Sequence, residues 1–310
     1  MKATDTKRGP LGEIGLAAAA ACSATLFSNP LEVVKTRMQL QGELSRSAAA
    51  NLYRTPWQAV RTIVATEGAA SLQKGLAPAL LYTAVMNGLR LGLYAPVKSM
   101  LANGDDDVAV AFVKSMAAGA ASGVAGAGLA SPAFLIKVRL QMQGKAGAGS
   151  TIGYQHNYGG VLDAATKIVS ADGIAGLWAG SRSQMLRVAV GSAVQLPSYD
   201  AFKAVLLMVP GMPNGTVTHL IASTGGGLLV AVAMNPFDLV TSRVMNQPTV
   251  NGKGALYDGI VDCILKTARS EGPLALFKGL PAHAMRVAPH TILTFVFWEH
   301  YKRLAASRGY

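Results

Sequence analysis

The stretch NPLEVVKTRMQLQG, residues 29–42, joins a helix-breaking proline to a run of charged side chains. It occurs twice more, as SPAFLIKVRLQMQ and as NPFDLVTSRVMNQ, so that the three prolines are Pro30, Pro132 and Pro236. A spacing of about 100 residues between copies indicates tandem repeats. Proline loosens a helix by removing a backbone hydrogen bond, so we expect a kink at each of these three positions.

Two further landmarks keep the same register in the three copies. An acidic residue followed by glycine comes after a polar linker, in Glu67-Gly68, Asp172-Gly173 and Glu271-Gly272. A second glycine stands seven residues beyond each of those glycines: Gly75, Gly180 and Gly279. The register predicts three repeats, at residues 8–103, 108–207 and 215–305.

The composition indicates a membrane protein. Of the 310 residues, 51% are apolar and only 14% are charged, and the mean hydropathy is +0.32. Such a chain is more apolar than an ordinary soluble domain of its length. The net charge of +12 fits an anionic substrate or anionic lipid. Nucleic acid would explain that charge but not the apolar segments, so we predict no nucleic-acid partner.

Each repeat reads as two apolar segments around an amphipathic linker. The first, third and fifth segments, at about 14–39, 112–141 and 217–245, are long enough to cross roughly 30 Å of hydrocarbon. The second, fourth and sixth begin at the repeat glycines, and short polar loops near 105–107 and 210–214 join the repeats. The linkers have helical periodicity with both charge signs, which is typical of helices on a membrane surface. The sequence therefore predicts an all-α membrane protein with six transmembrane helices.

These residues resemble the mitochondrial carrier family, whose signature is P-x-[DE]-x-x-[KR]-x-[KR], then [DE]-G and an aromatic-basic-Gly element. The resemblance covers about residues 12–304. It implies six tilted helices in pseudo-three-fold symmetry around a water-filled cavity, short surface helices on the matrix side, and alternating access in the mitochondrial inner membrane. The stretches LQKGLAPALLY and NGLRLGLY look most like the branch that carries oxaloacetate and sulfate, together with its animal relatives.

The resemblance implies a gate at the matrix end, built from the charges after each proline. A charge within a span is costly unless it meets a partner or water. In the family pattern Glu32 pairs with Lys137, and Asp238 pairs with Lys35. The third pair is missing, since its acid position holds Phe134 and its base position holds Thr241. The family's hydrogen-bonding braces for these pairs correspond to Gln39 and Gln141.

A second gate is implied at the intermembrane end by the pattern [FY]-[DE]-x-x-[KR], matched by YAPVK, YDAFK and WEHYK. It pairs Asp200 with Lys302 and Glu299 with Lys98. Ala95 leaves Lys203 without the expected acid.

The substrate site is expected between the two gates. The family's contact points fall seven residues after the repeat glycines, at Tyr82, at Arg187 with Val188, and at Arg286. Arg90 lies two helical turns beyond Tyr82, with Asn87 nearby. Arginines without an acid at the same depth favour a small anion, because guanidinium offers a fixed fork of donors. Structural roles remain open: Arg90 could support the intermembrane gate, and Tyr82 could serve in packing.

Other partners follow from the resemblance. It suggests cardiolipin at the helix starts marked by Gly75, Gly180 and Gly279, where free backbone N–H groups attract phosphate. We predict a monomer without cofactor or metal, and no enzyme, because the sequence shows no spacing typical of a catalytic triad, metal site or phosphate loop. A carrier of nucleotides or other phosphate-containing substrates, and a carrier-like adaptor that transports nothing, remain alternatives.

Overall fold

The computed structural model describes residues 10–44, 52–101, 107–144, 152–209, 215–250 and 253–307. The predicted repeat bounds at 8 and 103, and the loops 105–106 and 210–214, lie outside these ranges. The helices within them are α1 (Pro10–Leu40), α2 (Pro56–Glu67), α3 (Leu76–Leu101), α4 (Val108–Leu129), α5 (Ser131–Met142), α6 (Val161–Asp172), α7 (Ser181–Leu207), α8 (Thr216–Asn246), α9 (Ile260–Glu271) and α10 (Leu280–Ser307). A two-residue antiparallel hairpin, β1 (Thr249–Val250) and β2 (Lys253–Gly254), accompanies them.

The long helices form a closed ring. Around it α1 packs on α3, α3 on α4, α4 on α7, α7 on α8, α8 on α10, and α10 returns to α1. At this last seam the Ser23 and Tyr301 hydroxyls lie 2.7 Å apart, and the rings of Phe27 and Phe297 stack with centroids 5.9 Å apart. The predicted all-α membrane architecture of three helix pairs is confirmed.

Three long helices are apolar enough on average to span a membrane: Gly12–Leu40, Ala69–Leu101 and Val217–Asn246. The bent pair Val113–Leu129 and Ser131–Met142 makes a fourth if it is one span. The helices α7 and α10, of 27 and 28 residues, are similar in length but less apolar on average. Polar and charged side chains such as Arg187 and Gln195 lower the apolarity of α7, and a cavity inside the ring offers them partners that lipid does not.

The prolines act differently in the three repeats. Helices α1 and α8 continue through Pro30 and Pro236. The third predicted segment, in contrast, is broken at Ala130, where α4 and α5 meet at 64°. Pro132 occupies the first turn of α5, where its missing N–H costs no intrahelical hydrogen bond.

The amphipathic linkers fold as the short helices α2, α6 and α9, each followed by one 3₁₀ turn. One glutamine tethers each linker by exchanging two hydrogen bonds with the backbone of a tyrosine, at 2.7–3.2 Å. The pairs are Gln41 with Tyr53, Gln143 with Tyr158, and Gln247 with Tyr257. This contact occurs once per repeat and extends the three-fold pattern beyond the landmarks seen in the sequence.

Candidate functional site

The repeat glycines place the starts of α3, α7 and α10 against the segments that follow the prolines in the neighbouring repeats. Gly75, Gly180 and Gly279 adopt φ of +69°, +76° and +83°, which a side chain would strain. A Cβ at Gly180 would lie 2.7 Å from Met245 Cγ, and one at Gly279 would lie 2.7 Å from Gln39 Cγ. Each glycine therefore permits a close approach between two repeats.

Two ion pairs join the proline ends across the ring axis. Lys137 Nζ lies 2.7 Å from Glu32 Oε1, and Lys35 Nζ lies 2.6 Å from Asp238 Oδ2. None of the four side chains is more than 13% exposed. These are the partners expected from the sequence, and their contact closes this end of the ring between different repeats. Their role as a gate stays a prediction.

An aromatic cluster occupies the place of the missing third pair. The Phe134 ring lies 4.9 Å from the Tyr82 ring, with Lys137 Nζ 5.2 Å and the Arg187 guanidinium 5.6 Å from the Phe134 centroid. A cation over a ring face is attracted by the ring quadrupole. Thr241, the other half of the missing pair, is buried and its hydroxyl has no partner within the described residues. The Phe134 ring thus adds a contact to two cations, Lys137 and Arg187, at the position where the family pattern has an acid.

Two of the predicted contact arginines reach the acids of the closed end. Arg187 Nε donates to Asp238 Oδ1, and Arg286 Nη1 lies 3.7 Å from Glu32 Oε2. His283 adds a third neighbour to Asp238, with Nδ1 3.2 Å from Oδ2. The sequence analysis missed His283 and the sharing of these acids, because neither follows from the repeat register.

A cavity of about 510 Å³ opens above this cluster. It is lined by four of the predicted substrate contacts, Tyr82, Arg90, Arg187 and Val188. Further polar groups that the sequence analysis missed also line it: Ser192, Gln195, Tyr199, Ser223 and Thr291. Arginine donors and hydroxyls facing one hollow can bind an oxyanion of a small carboxylate or sulfate.

Two predicted contacts are not in this cavity. Asn87 donates to Thr83 O within its own helix, at 2.9 Å, and lines an adjoining cavity of about 450 Å³. The two cavities share Ser223 and Thr291. Arg286 lies beside Glu32 instead, because the ion cluster draws its guanidinium toward the closed end.

The predicted glutamine braces make other contacts than expected. Gln39 Oε1 accepts from Ser242 Oγ at 3.0 Å, and Gln141 bonds Thr36 and Asn29, at 3.1 Å each. Among the described residues neither amide bonds an ion pair. Gln39 instead links α1 to α8, and Gln141 links α5 to α1.

The opposite end of the ring holds the residues predicted for the second gate. Over the ranges that the structure describes, Asp200 and Glu299 form no ion pair with the lysines predicted for them. Lys302 Nζ lies 4.3 Å from the centroid of the Trp298 ring, and Lys98 Nζ lies 5.8 Å from that of Tyr94. Lys203 likewise contacts neither acid. We call the end with the two ion pairs the closed end, and this end, where the described residues show none of the predicted pairs, the open end.

Arginine clamps fix the surface helices of the first and third repeats. Both carboxylate oxygens of Glu67 accept from Arg37, and Lys74 Nζ lies 3.0 Å from Glu67 Oε2. Glu271 meets Arg243 and Lys278 in the same way, at 2.5–3.0 Å. Burial raises the pKa of Glu67, but the hydrogen bonds and charges of Arg37 and Lys74 outweigh it and bring that pKa below its ordinary value. The sequence showed these residues in register but not that they pair.

The second repeat lacks this clamp. Arg139 is buried and donates to Tyr158 Oη and Met245 O, while Asp172 accepts from Thr249 instead. His156 Nε2 contacts Asn246 O at 3.0 Å. Burial and, to a smaller extent, the charge of Arg139 together lower the pKa of His156 to about 4. This linker is therefore held by hydrogen bonds of Arg139 and Asp172 to neutral partners rather than by an arginine–carboxylate pair.

The predicted lipid positions, Gly75, Gly180 and Gly279, directly precede the helices α3, α7 and α10. A pocket of about 610 Å³ includes Gly180, Ser181 and Arg182 on one side and Gly259 and Ile260 on the other. In the other repeats, Lys74 and Lys278 are engaged by the clamp carboxylates. Lipid binding at the three glycines stays a prediction.

Comparison with known proteins identifies a family and several relatives that this chain resembles along most of its length. The family model described as mitochondrial carrier protein matches residues 7–105, 109–209 and 213–309. The chain is 43% identical to solute carrier family 25 member 35 of Mus musculus, over 91% of this chain and 95% of the relative. It is 42% identical to the mitochondrial oxaloacetate transport protein of Saccharomyces cerevisiae, over 93% and 88%. It is 40% identical to mitochondrial citrate transporter E of Aspergillus niger, over 92% and 90%.

Proposed function

Because this chain belongs to the mitochondrial carrier family and is a multi-pass protein of the inner mitochondrial membrane, we propose that it carries a small dianion by alternating access. Its relatives are transporters rather than enzymes, and several are named for small organic anions. The substrate class we propose is oxaloacetate, another dicarboxylate or keto acid, or sulfate. The protein works as a monomer, with cardiolipin at the helix starts.

The charge balance at the closed end carries this proposal. Four cations share the two carboxylates of Glu32 and Asp238, so two positive charges remain in excess. The cations are Lys35, Lys137, Arg187 and Arg286. A dianion neutralises that excess, whereas ATP, with about four negative charges, would reverse it. The balance therefore favours a dicarboxylate or sulfate over a nucleotide.

The arrangement also indicates how binding opens the closed end. Arg187 connects the cavity to the ion pairs of the closed end, since it lines the cavity and donates to Asp238. A substrate oxyanion that takes over the Arg187 donors removes one partner from Asp238 and weakens the hold of Lys35. Buried ion pairs are offset by the cost of desolvating them, so two such links can break within a transport cycle. Asp200 and Glu299 then meet their lysines at the other end.

Uptake by proteoliposomes tests the proposal. The purified full-length protein is reconstituted into vesicles loaded with malonate, and uptake of labelled oxaloacetate, malonate, sulfate and ATP is measured. We expect saturable uptake of the dianions and none of ATP. Uptake of ATP in preference to dianions would show a nucleotide carrier. No uptake of any of them would indicate a carrier-like adaptor, and either result would overturn the proposal.

A further inference from the structure

The arginines around the cavity differ in whether a carboxylate neutralises them. Arg187 donates to Asp238, and Arg286 lies against Glu32. Arg90 forms no ion pair within the described residues; its Nη2 donates to the neutral amide Oε1 of Gln195 at 3.1 Å. Arg90 is therefore the guanidinium in this cavity that keeps its full charge available to an incoming anion.

Arg90 and Gln195 also lie at one level, nearer the open end. Each is eight residues beyond a contact position of its own helix, Arg90 after Tyr82 and Gln195 after Arg187. Eight residues of helix rise by about 12 Å, so an anion entering from the open end passes this level before it reaches Arg187. The corresponding residue of the third repeat is Thr294, which donates to His290 O in its own helix. The cation at this level is thus confined to one side of the ring.

The surrounding helices give the pair access to water. Gln195 is exposed, and both side chains line the central cavity and a smaller hollow of about 300 Å³ beside α4. Ser115, Met116, Gly119 and Ser122 of α4 line that hollow beside the two partners. A hydrogen bond to a neutral amide orients the guanidinium without cancelling its charge.

We propose that Arg90, oriented by Gln195, is a first docking site that captures the substrate anion before it passes to Arg187. The inference rests on the proposed function and adds an order of events and a positioning residue, Gln195. The capture step requires that the side chain at position 195 be uncharged. A carboxylate in its place would bind Arg90 as Asp238 binds Arg187, and would abolish the capture step.

Initial rates of labelled malonate uptake, over a range of malonate concentrations, test the order of binding. We expect Arg90→Gln to raise KM about tenfold while Vmax stays within about twofold, because charge-assisted hydrogen bonds contribute to capture but not to the later opening. Arg90→Lys should recover part of the loss. The ionic-strength dependence of Vmax/KM should become weaker in Arg90→Gln, since steering by a fixed charge is screened by salt. Arg61→Gln, on the exposed surface of α2, is the matched control and should change none of these values.

Two replacements of Gln195 separate charge from packing. Gln195→Glu should raise KM about as much as Arg90→Gln, whereas Gln195→Met, of similar length and neutral, should raise it less than about threefold. An unchanged KM in Arg90→Gln, or a fall in Vmax alone, would overturn the inference while leaving anion transport intact. Equal effects of the Glu and Met replacements would overturn the role of Gln195. No malonate or sulfate uptake by the unmodified protein would instead overturn the proposed function, and this inference with it.

Discussion

Asp238 holds the closed end together through one carboxylate that meets groups from three other helices. Lys35 comes from α1, Arg187 from α7 and His283 from α10. Asp238 itself is on α8, so this single residue links all three repeats. The partner Lys35 followed from the family pattern, because it depends on register alone. The contacts with Arg187 and His283 depend on how the helices tilt, which no spacing in the sequence reports.

Restoring the third ion pair tests the assignment of the closed end. The double variant Phe134→Glu with Thr241→Lys should raise the melting temperature and lower the maximal uptake rate, because an added pair stabilises the closed state. Thr241→Lys alone should instead lower the melting temperature, since it buries a further positive charge without its counterpart. Thermal unfolding in detergent and malonate uptake measure the two effects.

A double variant no more stable than its two single variants would contradict that assignment, because the new charges would then not meet. A cooperative thermal unfolding transition also shows that each variant is folded. The aromatic cluster of Phe134 with Tyr82 is lost in both variants that alter Phe134, so the comparison isolates the new pair.

At the scale of elements, the second repeat departs from the other two at the same end. Asn29 and Asn235 donate to backbone carbonyls of the following 3₁₀ turn or its cap, whereas Ser131 at that position is buried without a partner in the described residues. Its linker also has Asp172 and Ala179 in place of the clamp glutamate and lysine. The helix breaks here, between α4 and α5, beside the Ser131 hydroxyl that lacks the contact made by the two asparagines. The substitutions were visible in the sequence, but the break was not.

The clamp predicts unequal effects of two matched substitutions. Glu67→Gln leaves the buried Arg37 without its carboxylate, so we expect the melting temperature to fall by about 5 °C or more. Asp172→Asn removes a carboxylate that has no arginine partner, so its effect should be smaller. Equal effects would contradict the pairing found in the first repeat.

The pH dependence of the same variant has a definite sign. The pKa of Glu67 in the folded protein is below its ordinary value, so its stabilising effect is complete above that ordinary value, about pH 4.3. The effect is lost as the pH falls through the lowered pKa. The difference in melting temperature between the unmodified protein and Glu67→Gln should therefore shrink below about pH 4.

The lowered pKa of His156 predicts a second loss of stability, at a less acidic pH than that of Glu67. Its pKa is about 4 in the folded protein and about 6.5 in an unfolded chain, so its contribution is complete above pH 6.5. As the pH falls from 6.5 to 4, the unfolded chain gains a proton that the folded protein does not, and stability declines by up to about 1.4 kcal/mol per pH unit. His156→Gln should flatten the melting temperature between pH 6.5 and 4.5. The exposed His300→Gln is the control, and an unchanged slope in His156→Gln would contradict the prediction.

At the scale of the molecule, the three-fold ring follows from the sequence because the same landmarks recur in register. Each repeat has its start glycine, Gly75, Gly180 or Gly279, at positive φ and one glutamine tether, so each repeat packs on the next by similar contacts. The site is less regular than the fold. The arginines at the contact level came from register, whereas Gln195 and the displacement of Arg286 toward Glu32 arise from side-chain conformations that only the assembled ring determines.

The central claim is that the cavity arginines at the closed end bind the transported anion. It is tested most directly by initial malonate uptake in Arg187→Gln, with Arg61→Gln as control and thermal unfolding to show that each variant is folded. We predict a loss of about a hundredfold or more for Arg187→Gln and no change for the control, because a charged contact that also releases Asp238 is removed. A folded Arg187→Gln variant that takes up malonate at the unmodified rate would contradict the account.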